Sequence, residues 1–151
     1  MQYLDLNTYI KAAYDPSQKN ITAWEKAYQR YEKAFSEIRS YFSDEFLHFY
    51  DQTQMHDSLL SRIEICMEEL LMTPVIKIHW MNNASRGKFC IVYHDVLDFH
   101  CSNMDFTNNE MANYLFGEIL LSKHIFSHEF VLGNEVEINI HCRWLEFVMD
   151  I

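Results

Sequence analysis

Eight histidines are a high count for 151 residues, and two of them occupy positions where side chains could do chemistry. The first is in Met55-His56-Asp57-Ser58, where a helical pattern hands over to the first strand pattern. The second is in Ser127-His128-Glu129, where His128 falls in register with Phe126, Phe130 and Leu132 while Glu129 takes the other side of the strand. An adjacent His and Asp point to different sides, so neither place holds a ready-made dyad. If His56, Asp57 and His128 converged on a cleft, with Glu129 beside them, they would supply the acid–base or metal groups of a small hydrolase. The competing reading is a polar clasp, with His128 on the apolar face hydrogen-bonded by Asp57 or the His56 backbone, because a histidine among core residues must be satisfied.

The other histidines read as parts of solvated strand faces. His79 shares a face with Lys77, His100 with Asp98, and His141 with Glu137 and Asn139, while His94 and His124 fall near strand ends. The four cysteines, Cys66, Cys90, Cys101 and Cys142, have no CxxC spacing and sit in apolar, strand-like segments, so reduced and buried thiols are expected. His100-Cys101 and His141-Cys142 resemble zinc ligands, but neighbours in a strand face opposite ways, and no metal site is expected from them. The sequence has no Walker loop, GxSxG elbow, HExxH or EF-hand loop, and three glycines do not build a GxGxxG. No cofactor is therefore expected.

These residues are carried by two kinds of pattern. Residues 1–55 read as helical and 58–151 as mostly β, within one domain of 1–151. Thr22-Ala23-Trp24-Glu25 has the form of a capping box, and Trp24, Tyr28, Tyr31 and Phe35 then make an aromatic stripe at helical spacing. Asp15-Pro16-Ser17 marks a break, residues 3–14 read as a short helix, and Ser43 can cap another that carries Phe46 and Phe49. From Ser58 the period becomes two. Strands are predicted at Val75–Met81, Lys88–Asp95, Val96–Cys101, Tyr114–Ser122, His124–Leu132 and Glu135–Cys142, with an earlier one around Ile63 and Ile65. Gly133-Asn134 reads as a two-residue hairpin turn, residues 102–113 as a polar loop, and a change of phase predicts a bulge near Arg143. Because the helices all precede the strands, the fold class is α+β: N-terminal helices, hairpin-like, packed on a mainly antiparallel sheet.

A chain of this length buries roughly two-thirds of its unfolded surface and needs no staple. The net charge of −10 disfavours nucleic acid and anionic membranes. The same charge suits either plain solubility, the commoner use of an acidic surface, or a basic protein partner. No signal peptide or apolar span is read, so a cytoplasmic location is expected. The aromatic stripe is expected to pack on the chain's own sheet, with a homodimer as the other use for it.

Ala23-Trp24-Glu25-Lys26-Ala27-Tyr28, Met55-His56-Asp57-Ser58 with Ile63-Glu64-Ile65, and Gly117-Glu118-Ile119-Leu120 with Ser127-His128-Glu129-Phe130 resemble elements of a group of small uncharacterised proteins from Gram-positive bacteria. His-Asp-Ser opening a sheet, with the later Val92-Tyr93-His94-Asp95-Val96-Leu97-Asp98-Phe99, is also similar to small antiparallel-sheet domains assigned as immunity proteins of bacterial toxin systems. The resemblance spans most of the chain and implies a bacterial cytoplasmic protein with helices before a sheet and a partner-binding role. It implies no catalytic residues.

Overall fold

The computed structural model describes residues 1–52, 55–56, 58–68, 72–82, 87–102, 112–133 and 135–150. Three helices come first: α1 (Leu6–Tyr14), α2 (Gln18–Ser36) and α3 (Asp44–Asp51), with a 3-10 turn at Arg39–Tyr41 between the last two. Six strands follow: β1 (Leu59–Met67), β2 (Pro74–Met81), β3 (Lys88–Cys101), β4 (Tyr114–Ser122), β5 (Ile125–Leu132) and β6 (Glu137–Asp150). They form one antiparallel sheet in the order β1-β2-β3-β6-β5-β4. The α+β class and the helices-then-sheet order are those expected from the change of period.

Each helix begins on a side-chain cap. Asp5 accepts from the Thr8 amide and Ser43 from the Phe46 amide. α2 starts earlier than the capping box suggests. Its cap is Ser17, directly after Pro16, which accepts from the Asn20 amide, and Asn20 ties back to the Asp15 carbonyl at 2.8 Å. Thr22 and Glu25 therefore lie inside the helix. The Asp15-Pro16 break supplies the stronger start, because it both stops α1 and provides a capping hydroxyl one residue later.

The sheet curls until its two edges meet at one end. Leu59 of β1 bridges Asn113 just before β4, the Leu60 amide donates to the Ala112 carbonyl at 2.9 Å, and the Tyr114 amide donates to the Ser58 carbonyl at 2.8 Å. Trp80 of β2 and Tyr114 of β4 thus come within 5.6 Å, ring to ring, although four strands' worth of sheet order separates them. The bend has a local cause. The β3–β6 register passes from Val96↔Cys142 to Asp98↔His141, so Leu97 is an extra residue, and Asp95 beside it has φ 50°. On β6 the burial changes phase between Cys142 and Leu145, as the sequence suggests, but the bulged residue lies on the partner strand rather than at Arg143. β3 accordingly runs unbroken through both segments read from the sequence.

α2 crosses the β4 edge. Its N-terminal half and α1 pack on the outer face, where Trp24 and Tyr9 meet Phe116 at 5.1 and 4.9 Å. Its C-terminal half leads to the inner face, where Phe42 meets Phe126 at 5.9 Å and Phe46 and Phe49 meet Phe147 at 5.4 and 5.0 Å. Tyr31 and Phe35 are fully buried, so packing on the chain's own sheet consumes that part of the aromatic stripe.

Two turns differ from their sequence signals. Ser122 pairs directly with Ile125, and both residues between them, Lys123 and His124, have positive φ (49° and 64°), the geometry of a type I′ hairpin without the usual Asn-Gly. At the other hairpin the Leu132 amide donates to the Val136 carbonyl, so three residues separate the bonded pair rather than two, and Glu135 has φ 62°. Asn134 lies outside the described residues. Replacing Lys123 with Asn and His124 with Gly relieves left-handed strain at two exposed positions. The double variant is expected to gain about 1 kcal/mol of stability, read as a higher urea midpoint at unchanged slope.

Candidate functional site

Among the described residues, His56, His128 and Glu129 do not line one cavity. His56 is exposed on the connection between α3 and β1. Asp57 lies outside the described residues. His128 is enclosed completely, and its Nδ1 is 2.7 Å from the Tyr93 hydroxyl. That partner comes from β3, two strands away across β6, and not from the 56–57 junction. The hydrogen bond therefore ties the inner face of the sheet together and does not clasp helix to sheet. Nε2 has no hydrogen-bond partner among the described residues. Burial holds the ring neutral, with a pKa lowered to about 3. Glu129 points to the opposite face, where its carboxylate pairs with the Met1 amino group.

Three other histidines sit on the outer face beside carboxylates: His79 with Glu64 at 3.5 Å, His94 with Glu146 at 3.5 Å, and His141 with Asp98 at 3.8 Å. His94 also stacks on Trp144 at 3.6 Å. Among the described residues no three His, Cys, Asp or Glu side chains are placed to hold a metal ion. The four cysteines are free thiols, but only Cys90 and Cys142 are buried. Cys66 is exposed because β1 is an edge strand, and Cys101 is half-buried at the end of β3. Burial pushes Cys142 up to about 12.

The cavity that His56 does line is a different kind of site. It has a volume of about 510 Å³ and lies where α1, α2 and the end of α3 diverge over β4. Its walls are the rings of Tyr9, Trp24, Tyr28, Tyr50, Tyr114 and Phe116. Gly117 makes room for the Tyr114 wall. A Cβ there would stand 2.3 Å from the Tyr114 hydroxyl and 2.6 Å from Phe130 Cβ, so any larger residue would displace the Tyr114 ring from the wall.

A hydrogen bond fixes one of the rings: Tyr50 donates to Glu32 Oε1 at 3.2 Å. The Tyr31 hydroxyl beneath it accepts the Ile119 amide at 3.0 Å. Burial, followed by the Glu32 charge, pushes Tyr28 up to about 12; burial likewise raises Tyr50 and Tyr31. All three are neutral donors in any ordinary buffer.

A second carboxylate holds the floor. Glu118, 1% exposed, accepts the backbone amides of Gln2 at 2.8 Å, Tyr3 at 2.7 Å and Leu4, and so seats the buried Leu4 against the cavity. The sequence reading did not single out Glu118 or Glu32. The available signal was an acid inside the apolar run Leu115-Phe116-Gly117-Glu118-Ile119-Leu120, which a buried strand tolerates only with donors around it.

Comparison with protein-family models, curated proteins and solved structures returns no match, so function rests on this geometry.

Two measurements test the buried polar groups. The unfolded chain protonates His128 near its ordinary value of 6.5, whereas the folded chain resists until about 3. Stability from this group is therefore complete above about pH 6.5 and is lost as pH falls toward 3, at up to about 1.4 kcal/mol per pH unit. His128→Gln should flatten the pH dependence of urea unfolding between pH 6 and 4.5 by about that slope; equal slopes would show that the ring titrates normally in the fold. Glu118→Ala leaves three amides without an acceptor. It should cost about 3 kcal/mol and make the Gln2, Tyr3 and Leu4 amides exchange faster by NMR.

Proposed function

We propose that this chain is a non-catalytic protein-binding module that receives a group from a basic protein partner in the aromatic cavity over β4. The observation that carries this reading is the cavity wall: six aromatic rings, with Tyr50 tied to Glu32 and the neighbouring Leu4 seated by Glu118, and no Lys or Arg among the described lining residues. Tyr, Trp and Phe supply large contact area at low entropic cost and are the residues most enriched where proteins bind. The net charge of −10 would steer a basic partner toward this surface. A cytoplasmic immunity protein that neutralises a basic toxin fits this description, and the resemblance of its sequence elements to such domains supports it.

The alternative reading is a small hydrolase built on His56, Asp57 and His128. Its support is that His56 lines the cavity. Against it, His128 is enclosed with its Nδ1 engaged by Tyr93, although Tyr114, whose ring centre is 6.5 Å from that of His128, does reach the cavity.

Affinity capture from native lysate, with Trp24→Ala/Tyr28→Ala as the comparison chain, separates these readings. The intact chain should repeatedly retain one basic protein. The double variant, with an unchanged far-UV spectrum, should retain it about tenfold less, as expected for loss of two aromatic anchors. Equal retention by both chains, or no partner in repeated captures, counts against the proposal. Recovery of the chain itself would move the reading to a homodimer. Turnover in a substrate screen that disappears in His56→Ala would move it to the hydrolase.

A further inference from the structure

We propose that the cavity over β4 is a cation site, and that the group it takes is an alkylammonium or guanidinium side chain of the partner protein. This rests on the binding reading above and adds the chemistry of the contact.

The walls themselves favour a cation. Aromatic faces carry negative quadrupole density and attract a cation placed over them, most strongly for Trp and next for Tyr. Trp24, Tyr9, Tyr28 and Tyr50 all present ring surface to the same volume of about 510 Å³, which has space for an alkylated nitrogen and part of its stem.

The second element is charge. Glu32 accepts the Tyr50 hydroxyl at 3.2 Å, yet it forms no ion pair with Lys or Arg among the described residues. The Glu32 carboxylate thus stands directly behind the Tyr50 wall of the cavity. A neutral apolar group would gain only from burial, whereas a cation also gains from the rings and the carboxylate.

The third element is that the same helical layer already binds a cation in this way. Arg39 lies 5.7 Å over the Phe35 ring and donates to both Asp51 oxygens at 2.9 and 2.6 Å. Phe35 in turn stacks on Tyr50 at 4.4 Å, and Tyr50 is a wall of the cavity. One end of this stack thus carries a guanidinium paired with an acid. The other end offers the Tyr50 ring and the Glu32 carboxylate.

The test uses the full chain and two probes of nearly equal shape, choline chloride and its neutral carbon isostere 3,3-dimethylbutan-1-ol, titrated at constant ionic strength and followed by amide NMR. Choline should saturate shifts at Gly117, Leu115 and the Trp24 indole with an affinity roughly five- to tenfold above the alcohol, the preference expected of a partly desolvated cation–π site. Butylguanidinium and butylammonium, titrated next, distinguish an arginine-like from a lysine-like occupant. Glu32→Gln keeps an acceptor for Tyr50 and should reduce choline affinity at least about threefold while leaving the alcohol unchanged. Trp24→Leu should weaken choline more than the alcohol. Equal affinity for choline and the alcohol overturns the proposal, as does absence of saturable choline shifts in a chain whose spectrum shows it folded. If choline fails while Trp24→Ala/Tyr28→Ala still abolishes capture of a partner, the cation inference falls and the binding reading stands. If choline binds and capture is untouched by that variant, the cavity is a cation site but not the protein-binding element, and the binding reading falls.

Discussion

A strand edge carries amides and carbonyls that need partners, and once other elements bury that edge, water no longer provides them. β4 is such an edge, and two adjacent residues settle it. The Ile119 amide is given to the Tyr31 hydroxyl, which draws α2 across the edge. The Glu118 carboxylate accepts the amides of the N-terminal segment, which draws that segment onto the outer face. Helices are thus led to both faces of the sheet from one point on one strand. The cavity follows from this. Helices that must straddle an edge diverge as they do so, and Gly117, immediately before Glu118, leaves room for the Tyr114 ring that forms one wall.

The same buried groups specify register. In the β4–β5 pair Ile119 faces His128 and Glu118 faces Glu129. A slip of one residue would turn Glu118 into the aromatic interior, away from its three amides, and would turn Ile119 outward. Leaving such groups unpaired costs about 1–3 kcal/mol for each neutral one and more for a charge, whereas the net gain from a satisfied bond is about 1 kcal/mol. The contribution of Glu118 and of the Tyr93–His128 bond therefore lies more in the arrangements they forbid than in the stability they add. The closed end of the sheet works with them. With Leu59 bridged to Asn113, neither β1 nor β4 can slide without breaking a contact made across the whole sheet.

Much of this architecture was legible in local pattern. The change from a three-and-four period to a period of two divides helices from strands, and Ser43 caps the helix that its type and position suggest. The phase change at Arg143 marks the level of the bend, because a bulge alters which residues face inward on both strands that meet it. What pattern could not give was the partner. His128 reads as a core histidine from its register with Phe126 and Phe130, but Tyr93, which satisfies it, is 35 residues away and two strands over. Nor could it place the cavity, which depends on where three helices part from one strand. The type I′ turn at Lys123-His124 escaped for another reason: its residues are poor in that geometry, and the pairing of the flanking strands imposes it.

The phenol–carboxylate bond bears on binding as well as on stability. Side chains that are free in the unbound protein lose rotamer entropy when a ligand orders them, at about 0.5–1.5 kcal/mol each. In this cavity Tyr50 is already fixed by Glu32 and by stacking on Phe35, and Trp24 by edge contacts with Tyr9 and Phe116. The ordering of these walls belongs to folding, where burial of the aromatic layer offsets it. The residues that keep the helices on the sheet thereby also keep the rings in one arrangement, and a ligand that fits that arrangement would bind without first having to organise it.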